Sequence, residues 1–308
     1  MIVNHVMSSD VHSGIFTDLL EYYRNFCDED IQIIDSVNPI EDADIYHYHR
    51  PHLEENLKNN SVVTVHHDIN DTDDWLNYDK FHDRYNEAKL ILCLNKTQES
   101  ILSRHGLKHT RIIPHGFNNS IFTYAKNIKK ISEKVNIGII SKRYGRKVKG
   151  EAYLFELMKR LDREKFKFIF VGVDRSISSL KAESMGFESV CYERLPYYCF
   201  GDLYDKLNYL LVTSLFEGGP ANIPEAVASS TPIISTPIGM SNDYIKHCDN
   251  GLILSGNIEE DAELIEHYSH KENYEKISTS AFNQKQAALS WQEVMRLTSD
   301  CYKELIGK

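Results

Sequence analysis

Short apolar runs rich in β-branched residues alternate with helix-length amphipathic stretches along all 308 residues, and few folds accept that alternation. In the first part, strands are predicted at Met1–Val6, Ile31–Ile34, Ile45–Tyr48, Val62–Val65, Leu90–Leu94 and Arg111–Pro114. The helices between them are predicted at Gly14–Phe26, Leu53–Asn59, Tyr78–Ala88 and Lys96–His105. The polar, basic stretch AKNIKKISEK (125–134) reads as a linker. The pattern then starts again. Strands are expected at Val135–Ile140, Lys167–Val171, Ser189–Cys191, Tyr209–Thr213, Pro232–Ser235 and Gly251–Leu254, with helices at Gly150–Leu161, Ser178–Met185, Gly201–Lys206, Ile223–Ser229 and Glu260–Tyr268. A last helix, Trp291–Ile306, places Trp291, Val294, Leu297, Cys301 and Leu305 at helical spacing on one face. The chain is too long for one ordinary core. The expectation is an α/β protein of two doubly wound, Rossmann-like domains, residues 1–124 and 125–290, whose sheets present their carboxyl edges to a ligand cleft.

Charge separates the two parts. Residues 1–124 carry 10 Lys+Arg against 20 Asp+Glu, whereas the remainder is balanced, and eleven of the fourteen histidines lie at or before His115. An acidic front argues against nucleic acid and against an anionic lipid surface. No apolar run approaches the roughly 18 residues of a membrane span, and MIVNHVMSSD has neither a basic leader nor an apolar core. The six cysteines (27, 93, 191, 199, 248, 301) form no C-x-x-C pair, which suits reduced thiols in a cytoplasm.

Two stretches carry chemistry. In YLLVTSLFEGGPANIPEAVASSTPII (209–234), Glu217 and Glu225 are separated by seven residues, and Gly218-Gly219-Pro220 follow the first. Glycines allow close backbone approach, and the helix starting near Ile223 offers a positive end to a phosphate. Asn222 with Glu225 three residues on also fits a capping box, an alternative role for Glu225. A carboxylate beside two glycines at a strand end, Glu217, suits a ligand hydroxyl. In VNIGIISKRYGRKVKG (135–150), a buried strand ends in a loop with five basic residues among eight, Lys142 to Lys149. Following the first strand of its domain, the loop suits phosphate, with Arg143 as a planar fork and Lys149 as a point charge. His66 ends the buried run VVTVH and so sits at the carboxyl edge of the first sheet.

Together these stretches resemble the retaining, nucleotide-sugar-dependent glycosyltransferases of GT-B architecture, family 4. Glu217-Gly218-Gly219-Pro220…Glu225-Ala226 is similar to that family's E-x7-E element, and Arg143…Lys149-Gly150 to its R-x5-K-G phosphate loop. Weaker marks are Asp44–His49, Thr64-Val65-His66, Ile113–Asn118, Ser214 and a closing helix at Trp291. The resemblance implies a GT-B fold with the C-terminal helix (291–308) crossing back to the N-terminal domain. That domain would take a saccharide or glycoconjugate acceptor, and the second the nucleotide sugar. It further implies Arg143 and Lys149 on the diphosphate and Glu217 on the transferred sugar. Glu225 would bind the ribose, with Gly218, Gly219 and Asn222 beside it, and His66 would face the sugar. Gly14 would stand for a reduced glycine-rich loop. No metal or other cofactor is expected, since the two cations replace magnesium. The chain departs from the pattern at His115, in place of an asparagine, and at Gly239–Asp243, where a glutamate is usual and Asp243 is a candidate substitute.

Two rival readings stand beside this one. The histidines of HYHRPH (His47, His49, His52) and His66-His67 could ligate zinc in a hydrolase. A non-catalytic sugar-nucleotide-binding protein could also keep the fold, though retention of Arg143, Lys149, Glu217 and Glu225 together argues against lost activity.

Overall fold

A computed structural model describes residues 1–7 and 14–307. Two six-stranded sheets, parallel throughout, are built in chain order. The first comprises β1 (Ile2–Val6), β2 (Gln32–Ser36), β3 (Ile45–Tyr48), β4 (Ser61–Thr64), β5 (Leu90–Cys93) and β6 (Thr110–Ile112), in the order β2-β1-β3-β4-β5-β6. The helices α1 (Gly14–Phe26), α2 (Tyr78–Glu87) and α3 (Lys96–Arg104) connect them. The second comprises β7 (Val135–Ile140), β8 (Phe166–Val171), β9 (Glu188–Tyr192), β10 (Tyr209–Val212), β11 (Ile233–Ser235) and β12 (Gly251–Ile253), in the order β12-β11-β10-β7-β8-β9. Its helices are α4 (Glu151–Met158), α5 (Arg175–Ser184), α6 (Phe200–Asp205), α7 (Asn222–Ala228), α8 (Ser241–Tyr244), α9 (Ile258–Tyr268) and α10 (Lys271–Asn283). The last helix is α11 (Trp291–Leu305).

The central apolar runs become strands buried on both faces, as parallel sheets covered by helices require. Every residue of β3, β4, β10 and β11 is buried. The chain divides into two compact units: residues 1–116, 217–220 and 289–308 form one, and residues 117–216 and 221–288 the other. In the first unit α11 completes the core. Trp291, Val294, Met295, Cys301 and Tyr302 pack with Phe16, Leu19 and Tyr23 of α1 and with Val3, Ile45, Val62 and Leu92 of the sheet. A full capping box at Ser290 and Glu293 starts this helix. In the second unit Val135, Ile137, Phe166, Phe168, Phe170, Tyr209 and Leu211 form the sheet's side of the core, against Leu154 and Leu157 of α4 and Ile265 of α9.

Four local expectations fail. Leu53–Asn59 is not helical: a 3-10 turn covers Pro51–Leu53 and Glu54 is extended, since Leu53 and Leu57 alone give a helix too little apolar face to bury. Besides the four-residue α8, helix α10 is additional to the expected elements. Its Tyr274, Ile277 and Ala281 are diluted by Ser and Thr, yet with buried Ser278 they make an i, i+3, i+4, i+7 face. Leu297 is exposed, and Met295, Thr298, Ser299 and Tyr302 occupy the buried face of α11 in its place. The stretch 125–134 is fastened within the second unit rather than free. Ala125 N donates to Ala228 O (3.2 Å), Ser278 Oγ to Lys129 O (2.9 Å) and Asn208 Nδ2 to Lys130 O (3.0 Å). No helix among the described residues is long and apolar enough to cross a membrane.

Because α11 supplies core rather than surface, Met295→Ala should lower stability by about 2–5 kcal/mol, read as an earlier urea midpoint. Unchanged unfolding would show that the helix is peripheral.

Candidate functional site

Ligands of open parallel sheets collect where the strand order reverses, at the carboxyl ends of the two central strands. In the second unit that point lies between β7 and β10. β7 leads into residues 141–150, the loop of Arg143 and Lys149, and β10 leads into Thr213 and Ser214. Thr213 Oγ1 donates to Lys149 O (2.8 Å) and Leu215 N to Val148 O (2.8 Å), so the loop's end is tied to the β10 terminus. Gly150 makes that approach possible. It has φ 71°, and a Cβ there would lie 1.8 Å from Thr213 O. The loop's root is tied to the β8 terminus: Ser141 N donates to Val171 O and Arg143 N to Val173 O, both 3.0 Å. A Cβ on Gly172 would meet the Ser141 carbonyl at 2.7 Å. Arg143 is about a quarter exposed, and the Lys149 ammonium lies 5.2 Å from the centre of the Tyr144 ring.

The capping box at α7 is absent. Asn222 is the first helical residue, Ala221 precedes it, and no side chain caps the helix. Asn222 Nδ2 instead donates to Ile140 O at the end of β7 (3.0 Å), while its buried Oδ1 has no hydrogen-bond partner. Glu225 is buried and accepts from two phenols, Tyr197 (2.7 Å) and Tyr204 (3.0 Å). Burial pushes its carboxyl up to about 7, and the two hydroxyls pull the other way. Neither tyrosine is legible in the sequence as a partner of Glu225, because each lies more than twenty residues from it. Asp243 falls in the first turn of α8.

In the first unit the reversal lies between β1 and β3. His5 and His47 are register partners there, His49 follows β3, and His66 follows β4. Their rings form a buried chain: His66 Nε2 to His49 Nδ1 (2.9 Å), His49 Nε2 to His5 Nδ1 (2.9 Å), and His5 Nε2 to the Tyr302 hydroxyl (3.5 Å). It continues from that hydroxyl to His47 Nδ1 (2.5 Å), and from His47 Nε2 to Thr64 Oγ1 (2.7 Å). Desolvation holds His5, His47 and His66 well below the usual imidazole range and His49 at about 3, so these rings are neutral. The zinc reading fits poorly. One nitrogen from each of His5, His47 and His49 lies within 4.8 Å of the others, but all six ring nitrogens of these histidines are already engaged in the chain, and the rings of His47 and His49 stack at 4.5 Å. A cavity of about 20 Å³, room for about one water, lies beside His66, His115, Thr64 and Trp291.

The segment Glu217–Pro220 groups with this unit, so the two glutamates of E-x7-E belong to different units. Asn95 Nδ2 donates to Gly218 O (2.7 Å), His115 Nδ1 to Gly219 O (2.7 Å), and Glu217 N to Asp68 Oδ2 (3.4 Å). The glycines admit protein: a Cβ on Gly218 would meet His66 O at 2.4 Å, and one on Gly219 would meet Leu94 Cδ1 at 2.5 Å. His115, the departure from asparagine, thus acts as donor to Gly219, which leaves its Nε2 with the lone pair. Asp68 and Asn95 have no signal in the sequence, since ordinary loop and cap residues carry no mark of such a contact. Gly14 opens α1, and Ser13 before it lies outside the described residues.

The Glu225 carboxyl gives a pH signature. With a folded value of about 7 above the ordinary 4.5, the folded chain holds a proton that the unfolded chain releases. Stability from this group falls as pH rises between those values and is level above them. Relative to wild type, Glu225→Gln should gain on the order of 2 kcal/mol between pH 5 and pH 8, measured by denaturant unfolding at both. A constant difference would mean that the carboxyl ionises as an ordinary one.

A family model described as glycosyl transferases group 1 matches residues 122–284, which takes in both Arg143–Gly150 and Glu217–Glu225. No curated protein matches the sequence. Among solved structures, a sucrose-phosphate synthase from Thermosynechococcus elongatus aligns with a TM-score of 0.77 at 14% identity, over 100% of this chain and 99% of that one. HepE of Anabaena in complex with UDP and glucose gives 0.72 at 14%, over 99% and 100%. A glycosyltransferase from Rickettsia africae gives 0.72 at 16%, over 99% and 98%. At such identities the likeness establishes a shared fold, the GT-B one. With the family model covering more than half of the sequence, the chain belongs to the glycosyl transferases group 1 family, and its activity is glycosyl transfer.

Proposed function

We propose that the chain moves a hexose-type sugar from a nucleoside diphosphate sugar to a saccharide or glycoconjugate acceptor, with retention of anomeric configuration and without a metal ion. What carries this reading is the basic loop at the strand-order reversal of the second unit, inside the family-matched residues. Cleavage of the glycosyl–phosphate bond builds negative charge on the departing diphosphate. Arg143 and Lys149, fixed cations on an anchored loop, stabilise that charge where it develops. Glu217 holds hydroxyls of the transferred sugar, with Gly218 and Gly219 setting its backbone, and His66 faces the sugar as a neutral imidazole. Glu225 takes ribose hydroxyls on the lone pairs its two tyrosines leave open. Asn222 Oδ1, buried and without a partner, is a further acceptor beside the same loop. In same-face attack the leaving phosphate takes the acceptor's proton, so no carboxylate pair is required. The HepE structure holds UDP and glucose, which makes UDP the first nucleotide to test.

The direct test is turnover with UDP-, GDP- and ADP-sugars, with and without EDTA, and NMR of the product's anomeric proton. Retained configuration and EDTA-insensitive turnover are expected; an inverted product or strict metal dependence would overturn the reading. Lys149→Ala should lower kcat/KM by about 10²-fold with a melting temperature close to wild type, and a folded, fully active variant would remove Lys149 from the site. As the ionised Glu225 is the stronger acceptor for ribose hydroxyls, donor KM should fall as pH rises from 6 to 8 in wild type and stay flat in Glu225→Gln.

A further inference from the structure

Arg175 is 1% exposed, the largest fully buried side chain of the described residues. A guanidinium out of water is costly unless its donors are met. Its Nε donates to Ser141 O (2.6 Å) and one terminal nitrogen to Ser141 Oγ (2.7 Å). The other terminal nitrogen donates to Glu151 Oε1 (3.3 Å) and reaches Ser178 Oγ at 3.5 Å. Ser141 is the root of the loop that bears Arg143. Glu151 is the first residue of α4, itself buried, and the same Oε1 lies 3.9 Å from Arg143 Nε, while its Oε2 is buried without a hydrogen-bond partner. A carboxylate in the first turn of a helix repels an anion brought to that helix end. The amino end of α5 gives no help, because Glu193 fills it by accepting from Asp174 N and Ser176 N, both at 2.7 Å.

We propose that Arg175 and Glu151 are positioning residues for Arg143: Arg175 clamps Ser141 and holds Glu151, so that this carboxylate does not capture Arg143 and Arg143 remains directed to an incoming diphosphate. The inference rests on the donor-binding reading of Arg143 above. Neither residue touches the ligand. Without Arg175, Arg143 stands 3.9 Å from the uncompensated buried carboxylate, and the loop loses both its clamp and the charge it directs at the donor.

Calorimetric titration of the whole chain with UDP and GDP tests this, alongside donor KM and kcat. Arg175→Met should weaken nucleoside diphosphate binding about tenfold or more, and adding Glu151→Gln should bring it back to within about threefold of wild type, since removing both charges removes the capture. Arg175→Lys, with the charge but not the fork, should fall between. The loss should appear in donor KM more than in acceptor KM, a split that a general loss of stability would not produce. A folded Arg175→Met with wild-type affinity overturns the inference, as does a double variant no better than the single one. If Arg175→Met does not fold, the Lys and double variants decide: a double variant binding about tenfold weaker than wild type overturns it. Failure of the wild type to bind either nucleotide overturns the donor reading itself, and this inference with it.

Discussion

The close approach of backbone to backbone at Gly150 and Gly172 is the constraint on which the second unit's chemistry depends. A side chain at either position would collide with the Thr213 carbonyl or with Ser141, and the basic loop could not lie across the ends of three adjacent strands. Once anchored there, the loop keeps Arg143 and Lys149 partly buried, while Lys142, Arg146 and Lys147 stay exposed. A fixed charge needs no reorganisation when negative charge develops near it, which separates a binding loop from a merely basic surface.

The reversal point of the first unit is built from neutral groups. Four of its histidines, His5, His47, His49 and His66, are buried away from acidic partners, so they stay uncharged and satisfy one another through a chain that runs from His66 to Thr64. Tyr302, from the last helix, closes that chain. The C-terminal segment is therefore both core and part of the polar lining, which gives a physical reason for it to return to this sheet. The second glycine pair follows the same logic as the first: Gly218 and Gly219 carry no Cβ because His66 and Leu94 occupy the space.

Much of this is written in the sequence. The central strands are legible as apolar runs, because a parallel strand buried on both faces must be apolar at nearly every position, whereas the half-exposed edge strands β2, β6 and β9 are marked more weakly. The basic loop and the two glutamates are legible as motifs, since their spacing is local. The missing helix at Leu53–Asn59 and the additional α10 share one cause: a weak apolar face is decided by what it packs against. The partners of Glu225 are invisible for a related reason. A sequence can present a carboxylate three residues after Asn222, but only the packed structure shows that Tyr197 and Tyr204 hold it while Asn222 turns to Ile140.

What the chain alone determined is periodicity: where backbone hydrogen bonds run as sheet or helix, which faces are apolar, and hence a two-sheet α/β protein with a basic loop after β7. What the tertiary structure decided is protonation and partnership. Burial, not residue type, makes His5, His47, His49 and His66 neutral and lifts the Glu225 carboxyl. The pairing of Arg175 with Ser141 and Glu151 spans residues 141–175 and leaves no local trace. Desolvation and long-range contact depend on the whole fold, so no window of sequence contains them.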